Sequence, residues 1–227
     1  MSWFENLNPI VQALIATTFT WGVTALGALM VCFFKNINKK VLNTILGFSA
    51  GVMLAASFWS LLSPAIELSN ELGYIAWLLP TIGFTVGGLF VLFSDRFLDK
   101  VLKNNRSLKS ADSLKRSILL VSAITVHNIP EGMAVGVAFG GIASGVPGVT
   151  LIGAVMLALG IGIQNFPEGA IISMPLKSEG MSKPKAFLYG TLSGIVEPIG
   201  AIITILLTNT VVPILPYLLS FAAGAMI

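Results

Sequence analysis

His127-Asn128-Ile129-Pro130-Glu131-Gly132 and Gln164-Asn165-Phe166-Pro167-Glu168-Gly169 are two versions of one polar hexapeptide, each set in the middle of an apolar stretch. A third apolar stretch carries Glu197-Pro198. Residues three or four apart on a helix share a face. His127 and Asn128 therefore stand beside Glu131, and Gln164 and Asn165 beside Glu168. Each hexapeptide aims a carboxylate, a carboxamide and one further ligand type at one side of its helix. An ionised carboxylate at mid-bilayer costs roughly 2.5–3.5 kcal/mol on insertion scales. Residues 117–176 and 186–227 contain no Lys or Arg to offset Glu131, Glu168 and Glu197. A divalent cation is the simplest partner. One such ion would leave a single negative charge on three carboxylates and two would leave a single positive one, and either residue costs less in low dielectric than three bare anions. Imidazole with carboxylate suits Zn²⁺, Fe²⁺ or Mn²⁺ better than Ca²⁺ or Cu⁺, with Zn²⁺ bound tightest of the three.

The elements that must hold these groups are membrane spans. The 227 residues are 55% hydrophobic and only 10% charged, against about 25% charged in a soluble domain. Mean hydropathy is +0.90. Residues 6–34, 41–66 and 72–94 carry no charge at all, and about 20 apolar residues suffice to cross a bilayer as a helix. The reading is an all-α membrane protein, a polytopic transmembrane helix bundle. Six full spans are expected at 9–34, 44–66, 73–94, 117–140, 149–175 and 186–208, with the start of a seventh at 213–227. Spans four and five are sequential and antiparallel, so their hexapeptides meet near mid-depth.

All 13 Lys and Arg fall in three stretches, 35–40, 96–116 and 177–185, which are the first, third and fifth loops. By the positive-inside rule these loops are cytoplasmic and the N-terminus lies outside. The basic balance is thus a topology signal and implies no nucleic-acid partner. The first span is longer than a signal-peptide core and has no basic flank, so it is not a cleavable leader. A lone cysteine, Cys32, allows neither an internal disulfide nor a multi-thiolate site. No G-x-x-x-x-G-K-[ST] loop for nucleotide phosphates is present.

Glycines spaced by four recur, at Gly47 and Gly51, Gly83 and Gly87, Gly132, Gly136 and Gly140, and Gly190 and Gly194. Such rows let helices approach closely in lipid. Proline removes the hydrogen bond to the carbonyl four residues back. Pro130, Pro167 and Pro198 are therefore expected to release the carbonyls of Val126, Ile163 and Gly194. Broken helices near mid-membrane are a recurrent way of building ion sites in transporters.

At these residues the chain resembles the ZIP (Zrt/Irt-like) family of divalent metal transporters, and most of all its GufA-like branch. The resemblance rests on HNIPEG, QNFPEG, Glu197-Pro198 and the Gly47-to-Ser57 segment GFSAGVMLAAS, and it extends over essentially the whole chain. It implies an eight-span fold with both ends outside, so that residues 1–227 form one transporter domain that stops within span seven, with 95–116 as a cytoplasmic loop. It also implies a binuclear site. One metal would be held by Met53, His127, Glu131, Gln164 and Glu168. The other would be held by Asn128, Glu131, Asn165, Glu168 and Glu197, with Glu131 and Glu168 bridging. Asp95, at the cytoplasmic end of span three, reads first as an interface-solvated acid and only second as an exit ligand. Many members have an acid or histidine where Gln164 and Asn165 stand here.

The expected function is divalent cation import, zinc first, with Fe²⁺, Mn²⁺ or Cd²⁺ as other cargoes. The expected setting is a bacterial inner membrane, with a homodimer left open. An intramembrane metal-dependent hydrolase is the competing reading, against which stand the single histidine and the missing H-E-x-x-H helix. A proton relay through the three glutamates is the third.

Overall fold

A computed structural model of the chain describes residues 2–33, 39–104, 112–146, 148–208 and 212–227. A short α1 (Ser2–Glu5) leads into α2 (Pro9–Phe33). Next come α3 (Lys39–Ala56), a π-helical turn (Ser57–Leu62) and α4 (Ser63–Glu71), which run on without a break. Then follow α5 (Leu78–Asn104), α6 (Asp112–Ala143), α7 (Leu151–Ser178), α8 (Lys183–Leu192), α9 (Val196–Thr208), a 3₁₀ turn (Val212–Ile214) and α10 (Leu215–Ala225). Among the described residues there is no strand.

Helix is the expected outcome, because backbone groups in hydrocarbon must be satisfied within their own segment. By length and composition, Pro9–Phe33, Ala50–Glu71, Leu151–Ser178 and Lys183–Leu207 can each cross a membrane, and Leu78–Ser94 and Leu215–Ala225 are shorter apolar helices. Together they make an all-α polytopic membrane protein. Hydroxyl side chains inside the helices obey the same constraint. Thr17, Thr125, Thr204 and Ser220 each donate to the carbonyl one turn back, at 2.6–2.8 Å.

Element ends follow local chemistry. The Asn8 side chain accepts from the Ile10 amide and Pro9 opens α2, while the Thr150 hydroxyl accepts from Gly153 N–H at the start of α7. Gly145 and Gly180, at φ of 66° and 97°, end α6 and α7. The amide after each reaches five residues back, Val146 to Gly141 and Met181 to Leu176, which closes the last turn.

Several expected boundaries shift. The second span is longer than 44–66, because the chain stays helical from Lys39 to Glu71 through the π turn. The third begins at Leu78, after a turn opened by Gly73 (φ 74°). The polar 95–116 segment is helical at both ends, through α5 and α6, with 105–111 and the cations Arg106 and Lys109 outside the described residues, as is Lys35. The sixth span is broken at Ser193–Ile195. There Gly194, Ile195 and Glu197 amides bond only three residues back. This overturns the expected free carbonyl at Gly194, which accepts from Glu197 N–H at 3.0 Å. Pro198 falls in the first turn of α9, where its missing N–H is of little consequence.

α2 is central, packing along α7 and against α6, α8 and α9, while α6 lies along α9 and α10 along α5. Glycine sets these approaches. A Cβ at Gly27 would strike the Phe166 carbonyl and one at Gly169 the Thr24 carbonyl, both between α2 and α7. Gly132 and Gly136 seat α9 at Glu197 and Ala201, and Gly83 and Gly87 seat α10. Gly47 and Gly51 depart from expectation, since nothing lies within 4 Å of a Cβ at either.

The apolar core falls into two clusters. One gathers Ala13, Val135, Phe139, Leu157, Ile161, Ala201 and Ile205 among others, and the other Val31, Ile172, Met174, Leu176 and Ala186. Along α2, α6 and α7 the stretches between these clusters hold the buried polar residues, Thr20 and Thr24, Asn128 and Glu131, and Gln164 and Asn165. Backbone contact at glycine makes a sharp prediction. Gly27→Ala and Gly169→Ala should each lower stability by about 1–3 kcal/mol through overpacking, whereas Gly22→Ala, with nothing within 4 Å, should not destabilise and should gain up to about 1 kcal/mol of helix propensity. Thermal unfolding in detergent micelles measures all three, and equal behaviour would refute the close approach of α2 and α7.

Candidate metal centre

The polar layer is built by four helices. α6 brings His127, Asn128 and Glu131, α7 brings Gln164, Asn165 and Glu168, α9 brings Glu197, and α2 brings Thr20. Asn128, Glu131, Gln164, Asn165 and Glu197 are 0% exposed, as are Thr17, Thr20 and Thr24. Glu168 is half-buried. The His127 side chain is 27% exposed, so it and Glu168 are the two partly open members of the group.

The two hexapeptides face each other as their spacing requires. His127 Nε2 lies 3.7 Å from Glu131 Oε1. Ligand atoms of His127, Glu131 and Glu168 all lie within 4.8 Å of one another. Gln164 crosses from α7 to α6, where its amide nitrogen donates to Glu131 Oε1. Glu197 sits outside that triad. Its Oε1 accepts from Asn165 Nδ2 at 2.9 Å and its Oε2 from the Thr20 hydroxyl. Asn165 Nδ2 also donates to the Thr20 carbonyl at 3.2 Å, and Asn128 Nδ2 to the Ser193 carbonyl at 3.1 Å, in the break before α9.

The amide orientations follow from these partners. Turning Gln164 or Asn165 over would set an amide oxygen against a carboxylate oxygen. Every amide nitrogen in the layer is therefore spoken for, and every amide oxygen is left over. Asn128 Oδ1, Glu131 Oε2, Gln164 Oε1, Asn165 Oδ1 and Glu168 Oε2 are buried with no hydrogen-bond partner within the protein. Unsatisfied buried acceptors are rare, and each costs about 1–3 kcal/mol. Five lie on the polar faces of α6 and α7, and two of them belong to the carboxylates that gather with the His127 imidazole. Such lone pairs are the donor type a cation would take.

Of the residues expected at the site, seven are brought into this layer: His127, Asn128, Glu131, Gln164, Asn165, Glu168 and Glu197. The side chains of Met53 and Asp95 lie outside the described residues. Met53 belongs to α3, which packs against α7. Thr20 is the residue that sequence reasoning missed. Thr17, Thr20 and Thr24 do share one face of an otherwise apolar span, but that spacing marks a polar face and not a partner for Glu197. The Ser193 carbonyl had no sequence signal, because its role depends on the break in the sixth span.

The chain matches the family described as "ZIP Zinc transporter" over residues 7–115 and 103–227. It is 38% identical to "Zinc transporter ZIP11" of Xenopus tropicalis, over 98% of this chain and 88% of that protein. It is 34% identical to "Zinc transporter GufA" of Myxococcus xanthus, over 94% and 83% of the two. "Zinc transporter ZupT" of Chlorobaculum parvum is 33% identical, over 96% and 83%.

The amide pattern can be tested without transport. Asn165→Leu removes the donor to Glu197 and to the Thr20 carbonyl, and should cost about 1–3 kcal/mol in chelator. Asn165→Asp sets a second carboxylate against Glu197. It should unfold at lower temperature than the parent in chelator and recover with added Zn²⁺. Thermal scans with and without the ion check both, and an Asn165→Asp protein indifferent to chelation would contradict the donor role.

Proposed function

This chain belongs to the ZIP zinc transporter family, and on that premise we propose that it carries divalent zinc across the membrane through the polar layer of α2, α6, α7 and α9. The observation that carries the reading is the set of five buried oxygens without a donor, together with the cluster of His127, Glu131 and Glu168. In this reading His127, Glu131, Gln164 and Glu168 hold one cation, with Met53 from α3 as a further ligand. Asn128, Asn165 and Glu197 hold a second, with Glu131 and Glu168 bridging. The neutral amides supply oxygens without adding charge, so three carboxylates face up to two divalent ions. The alternative cargoes Fe²⁺, Mn²⁺ and Cd²⁺ would meet the same donors.

The grouping of Lys and Arg in alternate loops supports a positive-inside orientation with the N-terminus outside, in a membrane whose potential is negative inside. The membrane potential then favours entry by about 4.6 kcal/mol per 100 mV for a doubly charged ion. No nucleotide is needed. Access would alternate by motion between helix groups, each sealed by glycine contacts: α2 with α7 and α6 with α9 in one group, α5 with α10 in the other.

Uptake of Zn²⁺ into vesicles containing the purified protein tests the site. Glu131→Ala should reduce uptake to the level of protein-free vesicles, while Glu71→Ala, at the end of α4, should leave it unchanged. Uptake by Glu131→Ala at the parent rate would sink the reading. A second check uses protons. His127, Glu131 and Glu168 ligate only when deprotonated, so binding releases protons and Zn²⁺ affinity must fall as the buffer is made acidic. Titrations in buffers of different ionisation enthalpy count the protons released, and a count of zero at every pH would contradict ligation by these groups.

A further inference from the structure

Glu197 is fully buried and is served by neutral donors from two other helices. We propose that Thr20 is a positioning residue of the metal site, whose hydroxyl orients the Glu197 carboxylate for the second cation. The inference rests on the transport reading above and concerns only the second position.

The hydroxyl has one proton and two acceptors in reach, the Glu197 carboxylate and the Thr17 carbonyl, the latter at 3.0 Å. A carboxylate is the stronger acceptor, because charge-assisted bonds are roughly twice as strong as neutral ones. The proton therefore goes to Glu197 Oε2. Asn165 Nδ2 holds the other oxygen at 2.9 Å. Asn165 is itself anchored to α2, through the Thr20 carbonyl at 3.2 Å. One residue of α2 thus fixes Glu197 twice, directly by its hydroxyl and through Asn165 by its carbonyl. Asn165 Oδ1 has no partner within the protein. The amide therefore offers its oxygen to a cation while its nitrogen steadies the neighbouring carboxylate.

Without the hydroxyl, Glu197 loses its direct Thr20 bond and keeps Asn165 Nδ2 and the Thr24 hydroxyl as neutral donors in a site closed to water. It must then turn toward those donors or hold a proton, and a second cation has to reverse either change before binding. The Thr17 carbonyl gives the hydroxyl proton a fallback, so Glu197 can move during a transport cycle without stranding a buried donor. Thr24, which shares the face, donates to the Thr20 carbonyl at 3.3 Å and keeps this turn of α2 in register.

The test is stepwise Zn²⁺ titration of the full chain in detergent, on the parent and on Thr20→Val, Thr20→Ala and Thr20→Ser, with folding of each checked by size-exclusion profile. The parent should bind two ions per chain in separable steps. Thr20→Val and Thr20→Ala should keep the affinity of the first step and weaken the second by about tenfold or more, the loss of one hydrogen bond to a charged group. Thr20→Ser should restore the second step. The proposal is overturned if the second step is unchanged or tighter in either folded variant, or if both steps weaken together and serine does not rescue them. It is overturned too if the parent takes up one ion only, which leaves the transport reading standing. A parent that binds no Zn²⁺ defeats the transport reading itself, so the two failures are distinct.

Discussion

Three carboxylates stand between two dry layers with no basic residue in their stretches, and the fold is arranged around that fact. α2, α6 and α7 each pass from an apolar cluster through polar residues into another apolar cluster. Water cannot satisfy Glu131, which is 0% exposed, and burying an unpaired ion costs several kcal/mol even after relaxation. The protein answers with amides. Gln164 serves Glu131, and Asn165 with Thr20 serves Glu197. Each amide that gives its nitrogen to a carboxylate turns its oxygen into the same space, so the compensation is partial by construction.

Close helix approach makes this possible. A hydrogen bond between side chains on two helices, short as they are, requires axes brought nearer than ordinary side chains allow. Gly27 against Phe166 and Gly169 against Thr24 bring α2 to α7 immediately beside Asn165 and Glu168. Gly132, one residue past Glu131, brings α6 to the backbone of Glu197. The glycine that ends each hexapeptide is thus a packing residue for the motif it belongs to.

Much of the polar layer was legible from spacing. Residues one helical turn apart had to share a face, and consecutive antiparallel spans had to meet at mid-depth, so the pairing of His127 and Glu131 with Gln164 and Glu168 follows from periodicity. What was not legible depends on contacts distant in sequence. Thr20 lies 177 residues from Glu197, and a threonine in an apolar span reads as a residue that bonds its own backbone, as Thr17 does. Gly47 and Gly51 have the same four-residue spacing as Gly83 and Gly87, yet only the latter pair meets another helix. Spacing marks a smooth face and says nothing of what lies opposite. Pro198 misled for a similar reason. Its effect depends on where the helix starts, and the start is set by the turn at Ser193–Ile195.

The unequal exposure around the triad has a consequence for how a hydrated ion would be stripped. The imidazole of His127 is 27% exposed, Glu168 is likewise partly exposed, and Glu131 is sealed. An ion arriving on the imidazole's open side would exchange one water for a ring nitrogen while most of its shell was still intact. It would shed the remainder only as it reached the enclosed oxygens. Dehydration would then proceed in small increments, each matched by a new ligand, rather than as one steep barrier at the mouth of the site.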